Sequence, residues 1–183
     1  MTYEWLFIQF VGFLAWIILV LSYYQKNTNK ILEFHIAATV LYCFHFVFLG
    51  AFNAVMVCVL EIVVNYLYYK TDSDLWIFLG SIPFFLLGCF VTYKSCVDIL
   101  PTAASIIDGF ALINKRKIVL IGTIIAYAFW VYYDYQVGSW AGVITDSILI
   151  LSNLGILIFH YNIFNKDADA AIILKTDDSF IKK

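Results

Sequence analysis

The sequence predicts an all-α fold, a polytopic membrane protein with seven transmembrane helices, and three observations predict it. Hydrophobic residues fill 63% of the 183 positions and aromatic residues 19%, whereas charged residues fill only 13%. Soluble domains use about 45–50% apolar residues, and a water-facing surface needs more charge than this chain has. Seven apolar stretches each approach the roughly 17–25 residues that a helix needs to cross a hydrocarbon core. Lysine and arginine fall almost entirely in alternate links between those stretches. The net charge of −2 supplies neither a basic face for nucleic acid nor an acidic solvating tail. The lipid bilayer is the partner that composition implies.

The first stretch, Trp5–Tyr24, lacks a basic leader and a small-residue cleavage site, so it reads as a retained span instead of a signal peptide. Ile31–Leu49 and Ala51–Tyr69 follow, separated by Gly50 alone. Leu75–Tyr93 and Val97–Ile113 each contain a proline, Pro83 and Pro101, which can free a backbone carbonyl and serve as a hinge. Ile118–Tyr135 and Trp140–Ile163 complete the set. The links are a few residues long, which forces neighbouring helices to run antiparallel. A β-barrel is excluded because the stretches are continuously apolar and do not alternate. Trp5, Tyr23, Tyr24, Tyr68, Tyr69, Trp76, Tyr93 and Trp140 at span ends fit interfacial aromatic belts.

Orientation follows from the retention of positive charge in the cytoplasm. The odd-numbered links and the C-terminal tail carry Lys26, Lys30, Lys70, Lys115, Arg116, Lys117, Lys166, Lys175, Lys182 and Lys183, and the opposite side carries only Lys94. The N-terminus is therefore expected outside and the C-terminus inside. From Asn165 the chain is polar and too short for a domain.

The first three spans are expected to repeat as the last three. A shift of 88 lays Gly50–Val55 on Gly138–Val143, Ile62 on Ile150 and Asn65 on Asn153. A glycine at the helix entrance with an asparagine fifteen residues later occurs in both. A shift of 89 lays Gln9, Gly12 and Trp16 on Asp98, Pro101 and Ser105, and both triplets have the spacing of one helical face. An odd number of spans per unit gives both copies the same orientation, with the fourth span as linker. The expected organisation is 3+1+3: residues 1–70, a linker helix in 71–96, residues 97–164, and a polar cytoplasmic tail in 165–183.

Glu61, Asp108 and Asp146 lie within the third, fifth and seventh stretches, none of which holds an internal lysine or arginine. A carboxyl inserted at mid-membrane costs roughly 2.5–3.5 kcal/mol, so such groups face a cavity, a proton or a partner. Glu61 and Asn65 share a face with Cys58, Asp146 shares one with Asn153, and Asp98, Pro101, Ser105 and Asp108 form a third stripe. The expected site is a central polar cavity that binds substrate through Asn65, Asn153, Glu61, Asp146, Asp108, Trp16 and Ser105. His45 and Asp134 are lesser contributors, and a packing role is the better reading of His45 and His35. Alternatively the asparagines only hold helices together. Cys43, Cys58, Cys89 and Cys96 include no C-x-x-C pair or nearby histidine cluster, so no metal or other cofactor is expected. No catalytic constellation is present, so an enzyme is not expected.

Gln9-x-x-Gly12, His45-Phe-Val-Phe-Leu-Gly50, Leu100-Pro101 and Trp130…Gly138-Ser139…Gly142…Asn153 give the chain a pattern that resembles the YgjV-type bacterial inner-membrane proteins. That family looks like a distant relative of the SWEET and semiSWEET sugar transporters and the PQ-loop proteins. The resemblance implies a 3+1+3 arrangement with an outside N-terminus, and it matches Asn65 and Asn153 to an asparagine pair that contacts substrate in the sugar transporters. The Pro-Gln dipeptide is absent: the first span ends Tyr24-Gln25-Lys26, and no glutamine follows Pro101. A sugar is therefore not inherited as substrate. Vitamin-precursor transporters of similar build make a cationic or ring-bearing solute equally reasonable. The expected function is a transporter or facilitator of a small polar solute, a sugar, vitamin precursor or cation, working by alternating access with proton coupling as an option. The alternative is a non-transporting sensor or assembly partner. Homo-oligomerisation is left open.

Overall fold

A computed structural model describes residues 3–160 except 23, 26, 72, 73 and 115. The proposed tail at 165–183, the end of the last stretch at 161–163, and Tyr23, Lys26 and Lys115 lie outside the described residues. Seven α-helices run in order: α1 Tyr3–Ser22, α2 Thr28–Phe48, α3 Phe52–Lys70, α4 Asp74–Thr92, α5 Ile99–Leu112, α6 Arg116–Val137 and α7 Trp140–His160. No strand occurs among the described residues. Many large apolar side chains face outward, among them Trp76, Phe90, Leu151 and Phe159. Such a surface suits lipid, where no hydrophobic drive would pull these rings inward.

Six of the helices are long and apolar enough to cross a membrane, and α5 is not among them. Its 14 residues rise only about 21 Å against a hydrocarbon core of about 30 Å. The expected fifth span over Val97–Ile113 is therefore shortened at both ends. Asp98 Oδ2 accepts from Lys94 N at 2.9 Å, Ser95 N at 2.7 Å and Ser95 Oγ at 3.3 Å, closing a 3₁₀ turn over Cys96–Asp98 before the α-helix begins. At the other end Asn114 Nδ2 donates to Phe110 O at 2.6 Å. Asp98 thus shapes a turn and leaves the expected polar stripe. Pro101 falls in the first turn of α5, where a missing N–H removes no helical bond, so the hinge expected there has no interior bond to free. Pro83 does lie inside α4.

Consecutive helices pack together, α1 on α2 on α3 and α5 on α6 on α7, while α3 meets α5 and α7 meets α1. Six helices thereby close a ring, and α4 lies outside it against α3 and α5. Ala15, Ala54, Ala104 and Ala141, on α1, α3, α5 and α7, are fully buried, and small side chains let backbones approach closely.

Two turns at one end of the ring share a geometry. Gly50 N donates to Val47 O and Ala51 N to Phe46 O, and Gly138 N donates to Tyr135 O and Ser139 N to Asp134 O. Both are Schellman motifs. Their glycines have φ of 69° and 77°, the left-handed region that side chains disfavour. Every residue of one turn is 88 positions from its counterpart in the other. Beside these turns, aromatic rings from α2 and α6 fill the ring's interior. Phe46 stacks on Trp130 at 5.7 Å and on Tyr42 at 6.5 Å, with Tyr133 edge-on at 6.4 Å.

Candidate functional site

Glu61 lies nine residues beyond Phe52 and Asp108 nine beyond Ile99, so both carboxyls sit about 13 Å along their helices. The packing of α3 on α5 brings them together. Ser105 Oγ donates to Glu61 Oε1 at 2.6 Å, and Asp108 is close enough to Glu61 to interact electrostatically. Three expected site residues from two helices therefore form one cluster. Asp108 Oδ1 is buried with no hydrogen-bond partner among the described residues, as is Thr102 Oγ1 one turn before Ser105. Trp16 Nε1 on α1 is a buried donor in the same condition. A buried polar atom left unpaired costs about 1–3 kcal/mol. Asp108 Oδ1 can accept from a hydroxyl or amino group, Thr102 Oγ1 can accept or donate, and Trp16 Nε1 can donate to a hydroxyl or carbonyl.

The remaining expected residues are placed elsewhere. Asn153 Nδ2 donates to Thr123 Oγ1 of α6 at 2.8 Å, a contact between neighbouring helices. Asn65 is partly buried, one turn beyond Glu61 toward Lys70. Asp146 lies beside Tyr42, Thr145 and Asp134 instead of joining Glu61. No group of three or more His, Cys, Asp or Glu able to hold a metal occurs among the described residues.

A second polar cluster, nearer the glycine turns, was not expected at this strength. Gln9 Nε2 on α1 donates to Gly138 O at 3.1 Å while its Oε1 accepts from Ala141 N at 2.8 Å. One side-chain amide thus clamps the α6–α7 turn from both sides. His45, fully buried on α2, sets Nδ1 2.8 Å from Ile8 O and Nε2 2.8 Å from Ser139 Oγ. Gly12 makes this possible, because a Cβ there would stand 2.8 Å from Ala141 Cβ and 3.0 Å from His45 Cε1. Asp134 is 2% exposed, and its carboxyl and Ser139 Oγ both border Gly142. A Cβ on Gly142 would strike its carboxyl. The sequence signal for the clamp was a lone glutamine in an otherwise apolar stretch, with Gly12 one turn on.

A family model described as Imp-YgjV, bacterial inner membrane protein, matches residues 6–162. No curated protein and no solved structure matches the chain.

Proposed function

The chain belongs to the YgjV family of bacterial inner membrane proteins, and from that premise we propose that it transports a small polar solute by alternating access. The two moving units are α1–α3 and α5–α7, with α4 as linker, in the 3+1+3 arrangement with the N-terminus outside. Units 1–70 and 97–164 are supported by the matched turns around Gly50 and Gly138, and by interfaces that exchange under the repeat. The contact of α3 with α5 corresponds to that of α7 with α1. With the N-terminus outside, the glycine turns and the aromatic rings around Phe46 lie at the outer end, so the arrangement is closed outward.

The observation that carries this reading is the Glu61–Ser105–Asp108 cluster, which sets two carboxyls at mid-depth, one with an oxygen that has no partner among the described residues, while Lys70 at the last residue of α3 is the only lysine or arginine on the two helices. Membrane proteins keep such groups at substrate and ion paths. Two acids favour a solute with a cationic or hydroxyl-rich face, a vitamin precursor or cation as readily as a sugar. Uptake into proteoliposomes with and without a pH gradient tests it, using a panel of sugars, vitamins, nucleosides and amino acids. Glu61→Gln and Asn153→Ala should each reduce uptake at least tenfold. A wild-type signal that neither variant changes refutes these roles. The Asn153–Thr123 bond favours a second reading, a non-transporting sensor or assembly partner in which polar groups join helices. That reading predicts no ligand in the same panel that raises the unfolding temperature.

A further inference from the structure

Helix α5 carries a row of oxygens along one face. Thr102, Ser105 and Asp108 recur every three residues, so they follow one another with a rise of about 4.5 Å per step. Ser105 fixes the direction of that face, because its Oγ donates to Glu61 Oε1 of α3 at 2.6 Å. That bond uses the only hydrogen of Ser105 and leaves its oxygen able only to accept. Thr39, Thr92, Thr123 and Thr145 turn their hydroxyls onto carbonyls of their own helices, the usual recourse of a helical threonine. Thr102 does not. It is 2% exposed, and its Oγ1, like Asp108 Oδ1, has no hydrogen-bond partner among the described residues.

With both carboxyls ionised, only Thr102 of these four side chains keeps a hydrogen to give. The complement of such a row is rich in donors and positively charged. An ammonium group has three N–H bonds, no acceptor and a tetrahedral shape. At N···O distances of about 2.8 Å two of its acceptors lie roughly 4.6 Å apart, comparable with the step from Ser105 to Asp108. Its charge also favours the ionised form of both carboxyls. A neutral hydroxyl brings one donor and no charge, and a quaternary ammonium has no N–H and is held by aromatic faces instead. We infer that Glu61, Ser105 and Asp108 take the protonated primary amine of a small aliphatic solute, and that Thr102, one step along α5, takes a hydroxyl on a neighbouring carbon. The solute class is a short amino alcohol. This rests on the transport reading and names what is moved.

Full-length protein in lipid nanodiscs is unfolded thermally, followed by tryptophan fluorescence, in concentration series of ethanolamine, ethylamine, ethylene glycol and choline at constant ionic strength. Ethanolamine should raise the midpoint by about 3–6 °C at ten times its dissociation constant. Ethylamine, which lacks the hydroxyl, should bind about 3–10-fold more weakly. Ethylene glycol and choline, which have no N–H, should leave the midpoint unchanged. Asp108→Asn should weaken ethanolamine at least tenfold, and Thr102→Val should remove its advantage over ethylamine while leaving ethylamine binding as it was. Each variant alters an unpartnered buried group, so each should fold; if one does not, the four-compound comparison on the wild type still decides. Equal stabilisation by ethylene glycol and ethanolamine overturns the inference, as does a response to choline or no response to either amine. A hydroxyl preference that survives Thr102→Val overturns the role of Thr102. An amine that stabilises the protein but is not taken up by proteoliposomes refutes transport and leaves the amine site standing, so the two failures are distinct.

Discussion

Replacing Gly12 by alanine should destabilise the protein even though alanine is the better helix former. In a free helix the change gains about 1 kcal/mol. Here the new methyl would lie 2.8 Å from Ala141 Cβ and 3.0 and 3.1 Å from His45 Cε1 and Nδ1, roughly 1 Å inside the carbon–carbon optimum. Ala141 is a stub on the backbone of α7 and cannot swing aside, so α1 must move. That displacement stretches the two Gln9 bonds to the α6–α7 turn and the His45 bond to Ile8. Overpacking costs about 1–3 kcal/mol and three weakened buried bonds about 2 kcal/mol together, which leaves a net loss of about 2–4 kcal/mol after the propensity gain. Thermal unfolding should show a midpoint lower by about 5–15 °C. Gly155→Ala, where a Cβ meets nothing within 4 Å, is the control and should be neutral or slightly stabilising. A Gly12→Ala midpoint at or above wild type would refute the close approach of α1, α2 and α7.

Two further outcomes follow from the backbone. Gly50→Ala and Gly138→Ala both force a side chain into positive φ with no steric neighbour, so each should cost about 1–2 kcal/mol in denaturant unfolding; unequal costs would speak against equivalent turns. Asp98→Ala removes the acceptor of three bonds in the Lys94–Asp98 turn and should cost about 1–2 kcal/mol, whereas Asp98→Asn should recover part of it. An unchanged midpoint in Asp98→Ala would mean that the turn is held by other contacts.

Helix number and order were legible because lipid imposes a crude code, long apolar runs separated by charged links, and this chain follows it. The start of α5 was not legible in this way: the apolar run through Val97 and Ile99 sets the expected span at Val97 and masks the helix-start spacing of Ser95 and Asp98. Ser105, Glu61 and Asp108 were found as polar residues on inward faces, and helical period suffices for that. Their grouping needed the meeting of α3 with α5, which no local pattern specifies. Asp146 and Asn153 share a face of α7, yet one reaches the Tyr42 side and the other Thr123, because neighbours along the helix axis change. The sequence marks His45 as no more than a packing residue, since its partners, Ile8 and Ser139, lie 37 and 94 residues away. Residue type announces hydrogen-bonding capacity; only tertiary structure reveals the partner.

The short α5 also bears on how the protein reaches the membrane. Translocation machinery commits a segment to lipid by the free energy of that segment, and 14 residues containing Asp108 give little apolar length with which to offset the acid. Helix α6 has 22 residues and can commit by itself. Because the link between them runs only from Ile113 to Lys115, α6 draws α5 in as the second arm of a hairpin. The Glu61–Ser105 bond then forms only after synthesis has passed α6, so half of the acidic cluster waits in the membrane for a helix that cannot enter alone.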